Sequence, residues 1–291
     1  MKKYFSILLL LPFCTTDLVA APIKADISLG YTYDDNVTRA ELDSDIEADS
    51  ILNLDISGSY KLPVNQSSYF SLQGTIKANQ YADFNKLNNT RLGIHGSYHI
   101  RPSTGYTAIS YFARLAYEQR LYKSEQRDGS ATEIEVGLSK RLTDLLAMRF
   151  GYIKQDISAE SKVFDADDSR FYFDIDYKIG KKNLLYTTIS LIDGDVVSTA
   201  VPTQDIINAS SAIVRDDAFL DLTPARFAYK LDAKTTTIRL GNNYTISSDQ
   251  SIDASVLYYK SETDYYNQAT LRDINIDYSG LIFNLNYLHR F

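Results

Sequence analysis

The final eleven residues, Leu281 to Phe291, limit the fold more than any other stretch of the chain. Counting back from Phe291 in steps of two gives His289, Tyr287, Leu285, Phe283 and Leu281, mostly apolar or aromatic; the positions between include Asn284, Asn286 and Arg290. Successive side chains of a β-strand point to opposite faces, so this segment has one greasy face and one largely wet one. The alternation recurs upstream. Leu52, Leu54, Ile56 and Tyr60 oppose Asn53, Asp55, Ser57 and Ser59; Phe171, Phe173, Ile175 and Tyr177 oppose Tyr172, Asp174 and Asp176.

About twelve such segments, with ten to fourteen as the range, fit the chain, each near the ~9–11 residues of a tilted membrane-spanning strand. An even count brings both termini to one side. The links alternate in length. Short ones fall at 61–66, 101–104, 142–144, 179–183 and 247–250, long ones at 34–49, 82–89, 121–130, 158–168, 193–226 and 262–273. The short links carry Pro63, Pro102 and Gly180, residues that form turns. This pattern predicts an all-β chain: a transmembrane antiparallel β-barrel with short periplasmic turns and long extracellular loops. A soluble sandwich also buries one face, but gives no reason for the alternating links or the aromatic terminus.

With its last strand ending on Phe291, the sequence resembles Gram-negative outer-membrane β-barrel proteins of the porin-like kind. The resemblance implies residence in the outer membrane, against its lipid and lipopolysaccharide. It also implies that Phe291 and Tyr287 form the signal read by the barrel assembly machinery. A shorter likeness lies in Gly30-Tyr31-Thr32-Tyr33-Asp34-Asp35-Asn36-Val37. That segment is similar to the first strand–loop junction of barrels encoded with polysaccharide export systems and of surface lipoprotein assembly modifiers.

The start of the chain fits export. Met1-Lys2-Lys3 is basic, Phe5 to Phe13 is mostly apolar, and small residues follow at Ala20-Ala21. That order reads as a signal peptide over 1–20, leaving 21–291 as the barrel. The apolar run is too short for a membrane helix. Cys14, the only cysteine, lies in the leader behind Pro12-Phe13, a poor lipidation context, so the mature chain has no thiol.

Composition excludes other classes. Hydrophobic residues make up 44%, but no run after the leader approaches the ~20 residues of a membrane helix. Twenty-three Tyr and no Trp suit tyrosine girdles at the membrane interfaces. A formal charge of −7 argues against a nucleic-acid partner. No cofactor is expected, and no Walker loop, zinc spacing or calcium loop is present.

In a barrel the polar face points inward. Arg91, Arg114, Glu133, Glu135, Arg149, Asp174, Asp176, Arg239 and Asp253 are the candidate pore-lining residues, with Asp26 and Asp55 on the first two strands. Basic and acidic strands are neighbours, so ion pairs can bridge the wall. Two readings fit: a charged pore that filters solutes, or a self-neutralising network that fills the bore. Twelve strands lie between side-chain-filled and open barrels. The link 193–226 carries Val196, Val197, Ile206, Ile207, Ile213, Val214, Phe219 and Leu220, which points to packing on neighbouring loops, a constriction or a partner. The first outer loop is acidic (Asp34, Asp35, Glu41, Asp43, Asp45, Glu47, Asp49) and is expected to be mainly solvated, with divalent cations as an alternative.

One constellation could carry chemistry. His95, Ser97 and His99 share a strand face, and a His-x-Ser pair resembles the outer-membrane phospholipase A family. That family also uses an Asn on the adjoining strand, yet none follows Ser97 until Asn183, and its pair faces lipid whereas this phase points inward. The chain is therefore expected not to be an enzyme, with no catalytic residue and no metal ligand. A narrow channel for small hydrophilic solutes is the first expectation, a closed accessory barrel displaying loops the second, and the lipase a remote third.

Overall fold

The structure, a computed structural model, describes residues 23–267 and 272–291. The expected leader with Cys14, its expected cleavage position and residues 268–271 of the last outer link lie outside the described residues. Thirteen strands form: β1 (Lys24–Asp34), β2 (Asp49–Asn65), β3 (Ser68–Tyr81), β4 (Asn89–Ile100), β5 (Ser110–Tyr122), β6 (Gly129–Arg141), β7 (Leu146–Ala159), β8 (Ala166–Ile179), β9 (Asn183–Ala200), β10 (Ala212–Arg215), β11 (Phe227–Thr245), β12 (Gln250–Asn267) and β13 (Arg272–Arg290). A six-residue helix, α1 (Gln204–Ala209), precedes β10.

Twelve of the strands build a closed wall. Each pairs antiparallel with the next, β9 pairs directly with β11, and β13 returns to β1 with Asp26 opposite Arg290. The Phe291 backbone N–H donates to Ala25 O at 2.8 Å and finishes the seam. Closure leaves no unpaired edge in the wall, which a strand surrounded by hydrocarbon requires. The short β10 lies outside this ring, on β11 beyond the point where β12 turns away.

The two faces divide as the alternation dictates. Leu29, Leu52, Leu115, Leu191, Leu240 and Leu285 point outward and are each more than half exposed. In water such a belt would be an aggregation surface; in a bilayer it is solvated by acyl chains. Tyr98, Tyr111, Tyr177, Tyr244 and Tyr287 are exposed near the inner ends of their strands, as an interfacial girdle requires.

The wall is uneven in height. β3 to β8 run 12 to 14 residues, whereas β9, β11, β12 and β13 run 18 or 19 and project on the outer side. The links differ accordingly from the sequence reading. Val196 and Val197 belong to β9, so the large link is 201–226. The turn expected at 101–104 extends over 101–109, because β5 begins only at Ser110. The outer links 82–88, 123–128 and 160–165 are compact hairpins, each with one 3₁₀ turn. Each closes on an Asn or Asp side chain: Asn88, Asp128 and Asp165 accept from the N–H of Tyr81, Tyr122 and Ala159 at 2.6–2.7 Å. Neighbouring hairpins also share backbone hydrogen bonds, Ser124 N to Lys86 O and Ser161 N to Gln126 O, both 3.0 Å.

Candidate functional site: the lumen and its outer cap

Strand register places all nine candidate pore residues on the inward face. Arg91 approaches Glu118 at 3.9 Å, and Glu118 also accepts from Arg120 at 2.9 Å. Arg114 contacts Glu133, and its Nε lies 2.8 Å from Glu135, an ion pair by distance without a hydrogen bond's alignment. Glu135 also accepts from the Tyr172 hydroxyl. Arg149 and Asp174 are 3.8 Å apart, and Asp253 accepts from Tyr186 at 2.8 Å. Asp55 stands 4.0 Å from Lys77, and Asp26 accepts from Arg290 at 2.9 Å. Asp176 and Arg239 make no ion pair within 4.0 Å among the described residues.

A second inward feature was not visible as a site in the sequence. Tyr69, His99, Phe112, Gly137, Gly151 and Tyr172 sit opposite one another in register on six successive strands. Tyr69 and His99 are stacked at 4.6 Å with planes 8° apart, and His99 and Phe112 follow at 5.8 Å and 23°. The row needs its glycines. A Cβ on Gly137 would fall 2.5 Å from Phe112 Cζ, and one on Gly151 would fall 2.5 Å from the Tyr172 hydroxyl. The aromatic side chains occupy the space that a neighbouring side chain would otherwise fill.

The outer mouth is capped. The link 201–226 leaves the wall between β9 and β11, and its Phe219 packs on Phe84, centroids 4.5 Å apart, between β3 and β4. Those points lie six strands apart in a ring of twelve, so the link spans the mouth. Asp216, without exposed surface, accepts from Arg127 at 2.8 and 2.7 Å, from Thr199 at 2.7 Å and from Ala218 N at 3.0 Å. Arg226 and Asp45, both buried, pair at 2.9 Å. The apolar residues of the link are thus used in packing: Ile206 joins Ala40, Ala200, Tyr229, Leu231 and Ile276 in one cluster, and Phe219 joins Leu87 and Ala218 in another.

The acidic first loop, 35–48 with its flanking aspartates, corrects in part the expectation of a mainly solvated segment: Glu41 and Asp43 are exposed, but three of its aspartates are not. Asp34, Asp45 and Asp49 are buried and satisfied. Asp34 accepts from Arg39 at 2.8 and 2.7 Å; Asp49 accepts from the backbone N–H of Ala82, Asp83 and Phe84 at 3.0–3.1 Å. Thr38 O accepts from Thr199 N at 2.8 Å, which ties this loop to the end of β9. Arginines and amide donors thus occupy the carboxylate oxygens of Asp34, Asp45 and Asp49 that a divalent ion would need, and no cluster of ligands fit for a metal occurs among the described residues.

Beneath the cap the bore is hollow. A cavity of about 800 Å³ reaches from Glu135, Arg170 and Ser190 in mid-wall to Ser67 and Arg101 in the inner turns. A smaller space of about 310 Å³ lies higher, between Phe219, Thr38 and the wall at Arg120 and Gly129. Ser97 points inward with His95 and His99, and its hydroxyl meets His99 Nε2 at 3.0 Å rather than His95. Among the described residues no carboxylate or amide is bonded to His99, so the pair has no orienting third group.

No protein-family model and no curated protein matches the sequence. Among solved structures, an outer-membrane channel from Pseudomonas putida F1 is similar, with a TM-score of 0.58, 10% identity, and 97% of this chain and 100% of that chain covered. The KdgM porin (TM-score 0.45, 9% identity, 91% and 98% covered) and the NanC porin (0.42, 12%, 91% and 98%) show looser likeness. With the closed wall and the apolar belt, the likeness to the Pseudomonas channel shows that the chain has the fold of an outer-membrane β-barrel. Its place is the outer membrane.

Proposed function

We propose that the chain is a narrow channel for small hydrophilic solutes, closed at its outer mouth in this conformation by the links 35–48 and 201–226. One observation carries the reading: twelve strands enclose a hollow of about 800 Å³ walled largely by Arg, Glu, Asp and Ser side chains, reaching the inner turns. Barrels of about eight strands are filled by their own side chains, and a space this size matches the ~300–1,000 Å³ of small-molecule sites. Opening requires only that the cap shift, since the wall is continuous without it.

The buried Arg127–Asp216 and Arg226–Asp45 pairs support a second reading, a permanently closed accessory barrel. Single-channel recording in planar bilayers separates the two. The channel reading expects brief openings of the intact protein and larger, sustained ones when residues 203–222 are replaced by a short Gly/Ser turn. Silence from both folded proteins at all voltages sinks it.

A further inference from the structure

The geometry points to a binding site for small ring-bearing carboxylates in the inner cavity. The inference rests on the channel reading for how a solute arrives, but not for the contacts. It begins with a local reversal of charge. The chain carries −7 overall, yet the cavity is lined by Lys61, Arg101, Arg114, Arg149 and Arg170 against only Glu135 and Asp174. Arg114 is committed to Glu133 and Glu135. Arg149 is half exposed and held only loosely, 3.8 Å from Asp174. Lys61, Arg101 and Arg170 have no carboxylate within 4.0 Å among the described residues. Arg101 donates instead to the backbone at Tyr106 O, and Arg170 Nε is buried without a partner. A hollow with low-dielectric walls and an excess of cations concentrates anions, and forked guanidinium groups favour carboxylates over halide.

The aromatic row supplies the second half of the site. Tyr69, His99 and Phe112 line the same cavity, with Lys61 Nζ 5.1 Å from the Tyr69 centroid and the Arg149 guanidinium 5.9 Å from that of Phe112. Cations therefore flank both ends of a strip three rings wide. A solute carrying a ring and a carboxylate can use both features together, whereas a neutral sugar uses only the strip and acetate only the charge.

The test is binding to the folded full-length barrel in detergent at low salt, followed by saturation-transfer NMR. The ligands are D-glucuronate, benzoate, D-glucose and acetate, the first two distinguishing a sugar acid from an aromatic acid. At least one ring acid is expected to bind about tenfold more tightly than both glucose and acetate, and Arg149→Ala or Arg170→Ala to weaken it by about tenfold each, the loss of one charge-assisted hydrogen bond. Phe112→Ala should weaken the ring acid and leave acetate unchanged. Heat-modifiable migration on gels verifies that each variant is folded. Equal binding of glucose, equal binding of acetate, or undiminished binding by a folded Lys61→Ala/Arg149→Ala/Arg170→Ala variant overturns the site. Bilayer recording keeps the two ideas apart: a barrel that binds glucuronate but never conducts removes the channel and leaves the site, while a conducting barrel blind to both ring acids does the reverse.

Discussion

Asp216 receives both terminal nitrogens of Arg127 from a hairpin four strands away round the wall, and neither side chain has much exposed surface. The pair joins the mouth-spanning link to the rim at 123–128. Removing one partner of a buried pair strands the other charge, at a cost of about 3–5 kcal/mol. The wall does not depend on this contact, so the loss falls on the cap. For Asp216→Ala we expect protease cleavage within 201–226 under conditions where the native protein resists, with the heat-modifiable barrel otherwise intact. Unchanged resistance would show that the pair does not hold the cap.

Phe112 and Gly137 face each other in register, the ring occupying the site where a Cβ would stand. Gly137→Ala forces the ring off its place, and the Phe150 carbonyl 2.8 Å from the same point leaves little room for retreat. Overpacking of this kind costs about 1–3 kcal/mol. Truncation in Phe112→Ala removes the ring but not the Phe150 carbonyl, so the double variant should recover part, not all, of the stability lost by Gly137→Ala. Urea unfolding in detergent micelles measures the cycle; strictly additive effects would mean that the ring and the glycine do not interact.

Acidity should tighten the cap through Glu41. Glu41 is largely exposed, but its partial burial beside Ile206 and Tyr229 raises its pKa above the usual carboxylate range, a hydrogen bond from the Asp277 backbone opposing the shift in part. A raised carboxyl binds its proton more readily in the docked loop than in the free chain. Docking is therefore favoured on the acid side, and that contribution is lost as pH climbs from the ordinary glutamate range through the raised value. Protease resistance of 35–48 should fall as pH rises above the ordinary glutamate range in the native protein and stay flat in Glu41→Gln. An identical slope in both proteins would assign the effect elsewhere.

The faces of the wall were legible in the sequence because a strand's period leaves no freedom: once Leu281 to Tyr287 alternate, Asn284 and Asn286 must lie opposite. The strand count followed for the same reason. The cap was not legible. Asp45 reads as one more charge in an acidic loop, and its partner Arg226 lies far along the chain. The recurring Asn or Asp at 88, 128 and 165 was a usable signal, a side-chain acceptor closing each hairpin just before the next strand. The aromatic row stayed hidden because Phe112 is an apolar residue on a wet face, which pattern reading treats as noise until Gly137 and Gly151 are seen beside it.

Leu285 and Asn284 are adjacent in β13 but meet different solvents. Leu285 is outward and 53% exposed, in the run of apolar side chains with Phe283 and Tyr31. Asn284 is inward and accepts from the Thr32 hydroxyl at 2.8 Å. Arginine on the lipid face at mid-membrane costs about 2–4 kcal/mol, because the charge must be drawn into hydrocarbon or the bilayer deformed to reach it. Leu285→Arg should lower the stability of the barrel in phospholipid vesicles by that amount. Asn284→Ser, which replaces the amide oxygen with a hydroxyl also able to accept a hydrogen bond on the inward face, should change it by less than about 1 kcal/mol. The contrast should shrink in short-chain detergent, where water reaches the outer face. Equal and small losses for both variants in vesicles would mean that residue 285 does not meet lipid, and the assignment of faces would be wrong for the whole ring, since one register slip moves every side chain to the opposite surface.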